Sequence, residues 1–487
     1  MSNKFLFVKI LAHYINGTLA EPANGRYLDN IDPSTGSVYS KIPAGDAADV
    51  QLAVEAAEGA FASWSQMPAA DRSRILVRLA DLIQEHREAL AEAECIDNGK
   101  PRSLAEQMDI PRAEDNIRFF ATAILHWNSE SHIMENRAVN YTNRKPIGVV
   151  ACISPWNLPL YLFTWKIAPA LALGNCVVAK PSEITPMTAF LFSKLCIEAG
   201  LPAGVLNIVH GSGSEAGDAL VNHPRVKAVS FTGGTATGAR IAAAVAPKFK
   251  KLSLELGGKN PTIIFDDCDY EKMLRTTLRA AFANQGQICL CGSRILVQES
   301  LYDRFVADFT AKVSAMKVGD PLLTETRTGA VVSEAHMNKI LSYIELAKQE
   351  GGSVLCGGKR VIVEGRCAGG FFVEPTVITG LGPECRTNRE EIFGPVVTIQ
   401  SFRDEEHALE LANATEYGLA ASLWTSDVTR SHRFSAQLET GIVWVNTWLL
   451  RDLRTPFGGV KHSGVGREGG WEALRFFTEP QNVCIEL

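Results

Sequence analysis

Two residue types that cooperate in covalent catalysis lie in glycine-rich, apolar stretches of this chain. Cys289 follows Gly286-Gln287-Ile288, and Glu255 lies within Leu254-Glu255-Leu256-Gly257-Gly258. A cysteine thiolate is a nucleophile, and a carboxylate held away from bulk water can serve as a base near neutral pH. The pattern therefore predicts one cleft in which a thiol attacks an electrophilic carbon and a carboxylate moves a proton.

The composition limits the classes of protein to consider. The chain has 487 residues, more than one hydrophobic core usually organises, so we expect at least two domains. Hydrophobic residues make up 46% and charged residues 21%, which is typical of a globular protein. The net charge is −6 and there is no long basic run, so no nucleic-acid surface is expected. No segment approaches the roughly 20 apolar residues of a membrane-spanning helix, so we expect no membrane partner. A small-molecule partner is the expectation.

The eleven cysteines form no paired framework, and most lie in apolar runs typical of reduced core thiols, which favours a cytoplasmic protein. Cys289 and Cys291 are spaced neither as a redox CxxC motif nor as half of a zinc site, so no metal is expected. Residues 5–12 are apolar, but Lys9 interrupts them and no cleavage site follows. This segment predicts an edge strand leading into a turn at Asn16-Gly17 rather than a secretion signal.

Strands and helices alternate along most of the chain. Amphipathic helices are predicted at 47–65 and 70–94, the second with Asp71 as its N-cap. From residue 148 the predicted strands are 148–153, 175–180, 204–209 and 227–231, and the intervening helices are 160–173, 185–199, 214–222 and 236–246. A second series has strands at 261–265, 294–297, 396–399 and 441–445, with helices at 270–284 and 301–316. β-Branched strands between helices predict parallel sheets covered on both faces, an α/β fold.

Two segments fit neither series. Residues 130–147 and the tail 473–487 both read as strands without a helix to cover them. Strands with one uncovered apolar face tend to pair with another element or another chain. We expect them to form an oligomerisation arm.

Seven motifs occur in the order found in the NAD(P)-dependent aldehyde dehydrogenase superfamily, and the chain resembles that family from about residue 14 to its end. They are Ser154–Asn157, Lys180–Glu183, Phe231–Gly234, Leu254–Gly258, Gly286–Cys289, Glu390–Pro395 and Pro456–Gly459. Within the family the chain is most similar to the dehydrogenases of ring-cleavage semialdehydes, those of 2-aminomuconate and 2-hydroxymuconate semialdehyde. The motifs that carry this similarity are Met108–Arg112, Ile153–Leu160, Phe282–Cys291 and Trp448–Arg454.

The resemblance implies the aldehyde dehydrogenase fold, with a Rossmann-like NAD-binding domain, an α/β catalytic domain and a β arm. The implied division assigns 1–129 and 148–256 to the NAD-binding domain, 130–147 to the arm and 257–457 to the catalytic domain. Residues 458–487 return to the NAD-binding domain and the arm. A homo-oligomer, a dimer or a dimer of dimers, is expected.

The resemblance also implies roles for three catalytic residues. Cys289 would attack the aldehyde, because hydride leaves only after the carbon has become tetrahedral. The side-chain amide of Asn157 and the backbone N–H of Cys289 would hold the oxyanion, although Asn157 could instead cap a turn. Glu255 would activate the water that cleaves the thioester, which argues against acyl transfer to coenzyme A. Its alternative is a buried ion pair with Lys259 or another base.

The cofactor expectation rests mainly on the resemblance, because Gly211–Gly217 only approaches the dinucleotide fingerprint and its last spacing is one residue too long. The resemblance places the pyrophosphate at Phe231–Gly238, where most relatives carry a serine in place of Gly234. Glu183, after a strand, would accept hydrogen bonds from the adenine ribose and repel a 2′-phosphate, which favours NAD over NADP. A salt bridge with Lys180 is the alternative. The expected cofactor-binding residues are Ile153, Ser154, Pro155, Trp156, Lys180, Ser182, Glu183, Phe231, Thr232, Gly233, Gly234, Leu256, Gly257, Glu391 and Phe393.

Arg112 and Arg451 are the candidate substrate-binding residues. Both fall in segments that border the family's substrate tunnel, and an arginine offers a planar fork to a carboxylate. The implied reaction is NAD-dependent oxidation of a carboxylated semialdehyde, with 2-aminomuconate 6-semialdehyde first and the 2-hydroxy compound or another aldehyde as alternatives. Ion pairs with Asp109 and Asp452 would instead make these arginines structural.

Two other classes of function were weighed. A structural relative of the fold would be expected to lose at least one of Cys289, Glu255 and Asn157, yet all three are present. A thiol hydrolase would need a histidine base beside the cysteine, and none of the ten histidines lies in a motif that matches the family's active site. Production of NADH from an aldehyde separates dehydrogenase from both.

Overall fold

Two large sheets and a smaller one organise the computed structural model, which describes residues 10–487. The helices, in chain order, are α1 (Ala47–Gln66), α2 (Ala69–Glu85), α3 (Arg87–Asn98), α4 (Arg102–Leu104), α5 (Ile110–Ala123), α6 (Pro159–Ala172), α7 (Met187–Glu198), α8 (Asp218–Asn222), α9 (Thr235–Val245), α10 (Tyr270–Phe282), α11 (Glu299–Ser314), α12 (Glu334–Gln349), α13 (Arg386–Arg389), α14 (Glu405–Asn413), α15 (Val428–Ser435) and α16 (Gly470–Phe476). Two π-helical turns, Ala105–Asp109 and Gly213–Gly217, precede α5 and α8.

The strands are β1 (His13–Ile15), β2 (Thr18–Ala20), β3 (Tyr27–Asp32), β4 (Ser37–Pro43), β5 (Ser131–Met134), β6 (Ala138–Pro146), β7 (Val149–Ile153), β8 (Cys176–Lys180), β9 (Leu206–Ile208), β10 (Val226–Thr232), β11 (Lys251–Glu255), β12 (Pro261–Ile264), β13 (Arg294–Gln298), β14 (Ser353–Cys356), β15 (Arg360–Val361), β16 (Phe372–Val373), β17 (Thr376–Thr379), β18 (Val396–Phe402), β19 (Tyr417–Gly418), β20 (Ala420–Trp424), β21 (Ile442–Val445), β22 (Val460–Lys461), β23 (Gly464–Val465) and β24 (Thr478–Glu486).

The first sheet has the order β2-β1-β9-β8-β7-β10-β11-β23. Strands β9, β8, β7, β10 and β11 run parallel. Strands β1 and β23 pair antiparallel with β9 and β11, and β2 pairs antiparallel with β1 at the edge. From β7 the chain first adds strands on one side and then, after β9, crosses to add β10 and β11 on the other. The order therefore reverses between β7 and β10, and ligands of open α/β sheets bind at the carboxyl ends of strands at such a point.

The second sheet has the order β14-β17-β18-β13-β12-β20-β21 and is parallel except for β14. The chain passes from one sheet to the other through residues 256–260, between β11 and β12. The two predicted series of strands are confirmed as an α/β fold with helices between them. Helix α6, buried along its whole length, carries several site residues.

The third sheet, which we call the arm, joins β5, β6 and β24. Strand β24 pairs antiparallel with β6 from Thr478↔Pro146 to Glu486↔Ala138. The two segments predicted to be uncovered strands thus cover each other's edges. The prediction of strand for the whole tail 473–487 was wrong at its start, because α16 continues to Phe476.

Two local predictions differ from the structure. The helix predicted at 70–94 is two helices, because His86 leaves the helical conformation with φ −102° and ψ 15° and Arg87 then binds the Glu106 carbonyl. Asp71 is not the N-cap: Pro68 occupies that position and Asp71 lies in the first turn, beside Arg74. The turn predicted at Asn16-Gly17 is present, and both residues have positive φ, as a two-residue hairpin requires. The edge strand predicted at 5–12 falls mostly on residues 1–9, outside the described residues.

Asn175 ties the arm to the first sheet. Its side-chain oxygen accepts hydrogen bonds from the backbone N–H groups of Ile147 (2.7 Å) and Gly148 (3.1 Å). Its amide donates to the carbonyls of Ala170 (3.1 Å) and Phe477 (2.9 Å). Three of the four bonds are buried and the one from Ile147 is partly buried, so water replaces them poorly when the side chain is removed.

We expect Asn175→Ala to lower the free energy of unfolding by about 2–4 kcal/mol, because several buried backbone groups lose their partners. The midpoint of urea unfolding measures the loss. Asn222→Ala is the control: this exposed amide donates only to Asp218 in its own helix, so its midpoint should hardly move. Equal midpoints for the two variants would contradict the anchoring role.

Candidate active site

The parallel register brings the predicted motifs to one edge of the first sheet. Ile153 at the end of β7 pairs with Lys180 at the end of β8, and Phe231 of β10 pairs with the same Ile153. Thr232 at the end of β10 pairs with Glu255 at the end of β11. Four segments far apart in sequence therefore leave the sheet side by side.

Three adjoining cavities open at this edge, and the predicted cofactor-binding residues line two of them. The outer cavity, of about 380 Å³, is lined by Ile153, Ser154, Lys180, Ser182, Glu183 and Phe231 among others. The inner cavity, of about 260 Å³, is lined by Asn157, Leu256, Gly257, Cys289, Glu391 and Phe393 among others. Both share Pro155, Trp156, Thr232, Gly233 and Gly234. An elongated ligand could therefore occupy both cavities.

The third, apolar cavity meets the inner cavity at Cys289 and Thr232. Its walls include Met108, Leu158, Tyr161, Leu162, Trp165, Ile288, Leu290, Leu449 and Phe457. Only Glu255, Arg451 and Glu468 add charged groups to it. Cys289 is thus the point where a molecule in the apolar cavity would meet one in the inner cavity.

Cys289 lies in a loop between α10 and β13 that the Asn260 side chain holds. The amide of Asn260 donates to the carbonyls of Cys289 (2.7 Å) and Cys291 (2.9 Å), and its oxygen accepts the Ala420 N–H (3.0 Å). Burial, with smaller effects of Glu255 and Glu391, raises the pKa of the Cys289 thiol. Cys291 is buried against the Ala283 carbonyl and lines none of the three cavities.

Glu255 ends β11 with its side chain in the apolar cavity. Burial, reinforced by the negative charge of Glu468, raises the pKa of the Glu255 carboxyl well above its ordinary value. Its Oε1 atom is buried without a hydrogen-bond partner, and a Cβ at Gly458 would come within 2.6 Å of it. Within residues 10–487 no ion pair joins Glu255 to Lys259, which argues against the alternative of a buried salt bridge.

Asn157 lines the inner cavity and is fixed from both ends. One hydrogen of its side-chain amide is donated to the Gln287 carbonyl (3.0 Å), which leaves the second available. The Cys289 backbone N–H makes no intramolecular hydrogen bond within the described part of the chain. These are the two donors that the sequence analysis assigned to an oxyanion.

Glu391 and Phe393 close the other side of the inner cavity. Glu391 accepts the Gly258 N–H (2.8 Å), and burial raises the pKa of its carboxyl. Any side chain at Gly257 would collide with that carboxylate, so glycine is required there. Phe393 has a positive φ of 62° and packs edge-on against Trp156 at 5.3 Å.

Sequence reasoning missed His336 and Lys339, which lie on α12 and line the inner cavity. His336 Nε2 donates to the Phe393 carbonyl (2.7 Å), and burial lowers the pKa of its ring to about 4. Lys339 donates to the Glu391 carbonyl (3.1 Å). The histidine therefore supports the cavity wall as a neutral ring instead of pairing with the thiol. No motif marks either residue, since α12 joins the site only through tertiary packing.

In the outer cavity the Lys180 ammonium lies 3.2 Å from the Glu183 carboxylate, so the predicted alternative of a salt bridge is present. Although burial opposes it, Lys180 holds the pKa of Glu183 below its usual value. Glu183 also accepts the Gly213 N–H at 3.4 Å and remains about one-third exposed. A charged carboxylate thus faces the cavity even with its lysine partner.

Helix α9 points its N-terminus at the same cavity, with Gly234 as its N-cap and no side chain capping it. The free amides and the helix dipole favour an anion there. A Cβ at Gly234 would meet nothing within 4 Å. A serine would thus fit at this position. With glycine its hydroxyl is absent, and the backbone donors remain.

Arg451 lies in the apolar cavity without a carboxylate partner. Its guanidinium donates to the Tyr161 hydroxyl (2.6 Å) and lies 3.9 Å from the centre of the Phe457 ring. Asp452, its predicted alternative partner, pairs instead with Arg454 at 2.6 Å. The Arg454 side chain is four-fifths exposed and lines none of the three cavities.

Arg112 lies over the same aromatic wall, 5.8 Å from the Tyr161 ring and 5.9 Å from that of Trp165. Its Nε and one terminal nitrogen are buried without hydrogen-bond partners, and burial lowers the pKa of the guanidinium. Its predicted alternative partner, Asp109, binds Lys100. Buried unpaired donors call for an explanation, and an anionic ligand supplies one.

Lys166 and Glu468 form a buried ion pair of 2.7 Å behind the apolar cavity, and Ser230 donates to the same carboxylate oxygen at 3.0 Å. The sequence analysis did not find Glu468. The other Glu468 oxygen is buried without a partner. The pair brings a second carboxylate into the field of Glu255.

Comparison with known proteins agrees with this architecture. The profile of the aldehyde dehydrogenase family matches residues 20–483. The human 2-aminomuconic semialdehyde dehydrogenase is 47% identical over 480 residues, covering 98% of each chain. The 2-hydroxymuconic semialdehyde dehydrogenase of Pseudomonas sp. strain CF600 is 45% identical, covering 99% of this chain and 100% of the relative.

Among solved structures, the NAD+ complex of an aldehyde dehydrogenase from Bacillus cereus superimposes with a TM-score of 0.96 at 39% identity. It covers 99% of this chain and 98% of the other. No helix within residues 10–487 is long and apolar enough to cross a membrane. The family match, the relatives at this identity and the shared architecture all extend over nearly the whole chain, which belongs to the aldehyde dehydrogenase family.

Proposed function

We propose that this enzyme oxidises a carboxylated semialdehyde with NAD, and that 2-aminomuconate 6-semialdehyde, converted to 2-aminomuconate, is its substrate. The observation that carries the proposal is the position of Cys289, between a cavity built for an elongated polar ligand and an apolar cavity that contains an arginine without a carboxylate partner. The names of the similar semialdehyde dehydrogenases support the substrate class. The 2-hydroxy analogue is the second candidate, because one of these relatives is named for it.

The residues present fit NAD. The outer cavity offers the Glu183 carboxylate for a ribose and the amides at the start of α9 for a diphosphate, and the inner cavity offers Glu391 and Phe393 for the second ribose and its ring. When bound there, NAD+ supplies a hydride acceptor beside Cys289. The B. cereus relative was solved with NAD+, which agrees with this assignment.

The chain's own residues account for the remaining chemistry. The Cys289 sulfur adds to the aldehyde carbon, and its proton leaves to Glu255 or solvent. The free amide hydrogen of Asn157 and the Cys289 N–H hold the oxyanion of the thiohemiacetal. Loss of hydride leaves a thioester on Cys289. Glu255 then takes a proton from water, which attacks the thioester and releases the carboxylic acid and the free thiol.

The assignment of domains follows from the same proposal. Residues 1–129 and 148–256 would form the NAD-binding domain, 257–457 the catalytic domain and 130–147 the arm, while 458–487 returns to both. The pairing of β23 with β11 and of β24 with β6 supports the last assignment.

Exposed Ile133, Ile485 and Leu487 on the arm support assembly into a homo-oligomer, a dimer or a dimer of dimers. Eleven free thiols suit the cytoplasm.

A panel of semialdehydes with and without a distal carboxylate, assayed for NADH by absorbance, tests the proposal. We expect the carboxylated members to have the highest kcat/KM. Uniform kcat/KM across the panel would reject the substrate class, and no NADH with any aldehyde would reject the dehydrogenase function itself.

Glu255→Gln should trap the thioester. Because only the ionised carboxylate takes a proton from water, and burial raises its pKa, wild-type deacylation should quicken as pH rises through that pKa. The variant should release about one NADH per site in a burst and then stall. Intact-protein mass spectrometry should find the acyl group, and Cys289→Ala should carry none. Steady turnover by Glu255→Gln would remove the glutamate from this step.

Glu183→Gln should relax the preference for NAD. Removing the charge that faces the outer cavity lowers the repulsion of a 2′-phosphate, so the ratio of kcat/KM for NAD to that for NADP should fall by roughly tenfold, or about 1.4 kcal/mol. Glu215→Gln is the matched control, since Glu215 pairs with Arg26 at 3.1 Å and does not line the cavity. A wild-type enzyme equally efficient with both cofactors would contradict the role of Glu183.

Arg451→Ala and Arg112→Ala should each raise the KM for a carboxylated semialdehyde, at a cost of roughly 1.5–3 kcal/mol per charged hydrogen bond lost. Turnover of propanal, which has no carboxylate, should stay nearly unchanged. Arg454→Ala is the matched control, because that exposed arginine pairs with Asp452. Equal losses on both substrates would mean that the two arginines support the fold instead of the carboxylate.

A further inference from the structure

The backbone carbonyl of Asn157 is a point where three buried donors converge. It accepts from Asn284 Nδ2 at 2.9 Å, from Lys100 Nζ at 3.1 Å and from Asn98 Nδ2 at 3.4 Å; the Asn98 amide also donates to the neighbouring Trp156 carbonyl at 3.0 Å. A carbonyl oxygen has two lone pairs, so three donors around one oxygen exceed what is needed to satisfy it. All three donor residues are fully or almost fully buried, which makes this concentration of polar groups costly unless it serves the site.

The three donors come from two parts of the chain, the end of α3 and the turn after α10. Asn98 is the last residue of α3, and Gly99 follows it with a φ of 81° that turns the chain toward Lys100. Asn284 lies just after α10 in the left-handed conformation, with φ of 51°. Asparagine adopts this conformation more readily than most non-glycine residues, which lets the chain turn here and direct the amide inward.

The Lys100 ammonium is completely buried between two buried carboxylates. It binds Asp109 directly and lies 3.6 Å from Glu94 Oε1. Asp109 ends the π-helical turn before α5, on which Arg112 lies, so one buried cation joins the Asn157 carbonyl to the helix that carries a proposed substrate arginine. Buried ion pairs contribute little net stability, so a role beyond stability is the better explanation.

The same frame holds the nucleophile's loop. Gln285 Nε2 donates to the Gly99 carbonyl at 3.0 Å, and Asn284 Nδ2 also reaches the Gln287 carbonyl at 3.3 Å. That carbonyl accepts the Asn157 side-chain amide as well. One set of hydrogen bonds therefore fixes the positions of both Asn157 and Gln287, which lies two positions before Cys289.

We propose that Asn98, Lys100 and Asn284 are positioning residues for the oxyanion site, acting on Asn157 through its backbone carbonyl. They touch neither substrate nor cofactor. By fixing the Asn157 backbone, they aim its remaining amide hydrogen at the carbon bound to Cys289. The inference rests on the proposed function, because the orientation of Asn157 matters to turnover only if an oxyanion forms.

A double-mutant cycle on pre-steady-state NADH formation tests the inference, with saturating propanal and NAD+ in stopped flow. Asn284→Gly removes the amide and keeps a residue that tolerates positive φ, and Asn98→Ala suits the end of a helix. Each should slow the NADH burst by about 10- to 100-fold, the cost of a small misplacement. In an Asn157→Ala background the same substitutions should change the burst by less than about twofold, because the proposed effect passes through the Asn157 side chain.

The charge cluster is tested by Lys100→Met combined with Asp109→Asn and Glu94→Gln, which removes the cation and both carboxylates beside it and so leaves no unpaired charge. This variant should show the same slowing and the same dependence on Asn157. Asn446→Gly is the control: it too removes a positive-φ asparagine amide, one that donates to the Thr425 carbonyl at 2.8 Å, and it should keep the wild-type burst rate.

The outcomes separate the positioning role from a structural one. Slowing of equal size in both backgrounds would mean that the substitutions loosen the fold independently of Asn157, and an unchanged burst in the two asparagine variants would also overturn the inference. NAD+ affinity, followed by quenching of tryptophan fluorescence, should stay within about twofold of wild type in the variants. A wild-type protein without NADH formation, or an Asn157→Ala variant with an unaltered burst, would instead refute the proposed function.

Discussion

The parallel pairing of β7 with β10 is the constraint on which the site depends. These neighbours belong to opposite halves of the first sheet, so the strand order reverses between them and their connections leave in opposite directions. The crevice that results is open at the carboxyl ends, where Ile153 and Phe231 are paired. A slip of one residue would turn the last residues of each strand to the other face of the sheet. The outer and inner cavities would then lose their shared wall.

The second sheet contributes the nucleophile from the opposite direction. Cys289 lies ahead of β13, at the amino ends of the parallel strands, whereas Glu255 and Asn157 follow strands of the first sheet at their carboxyl ends. The two sheets meet through the connection 256–260, whose Asn260 side chain holds the carbonyls of the cysteine loop. This short connection joins β11, which ends at Glu255, to Asn260, which holds the Cys289 loop. The relative placement of the two sheets therefore depends on a few consecutive residues.

Sequence reasoning predicted the site residues that lie in contiguous motifs. The strand ends at Ile153 and Lys180 were predicted, and that of β10 to within one residue, because each follows an apolar, β-branched run. Sequence reasoning did not predict strand β11, which ends at Glu255. It could not recover His336, which reaches the inner cavity from α12, because no local pattern states which helix will pack there. Nor could it foresee that Asp109 would be taken by Lys100, which frees Arg112 from the ion pair that its neighbouring aspartate suggested. Competition between partners for one charge is settled only by tertiary structure.

Charged groups of both signs lie around Cys289. Glu255 in the apolar cavity and Glu391 in the inner cavity lie in surroundings that disfavour their charged forms, and both raise the pKa of the thiol between them. Among residues 10–487, Arg112 and Arg451 form no ion pair with a carboxylate, and both lie against a wall of Tyr161, Trp165 and Phe457. A neutral carbonyl group with a distant negative charge would relieve the arginines and leave the acids undisturbed. The arrangement therefore orients such a molecule before any bond to sulfur forms, with its charged end away from Cys289 and its electrophilic carbon toward it.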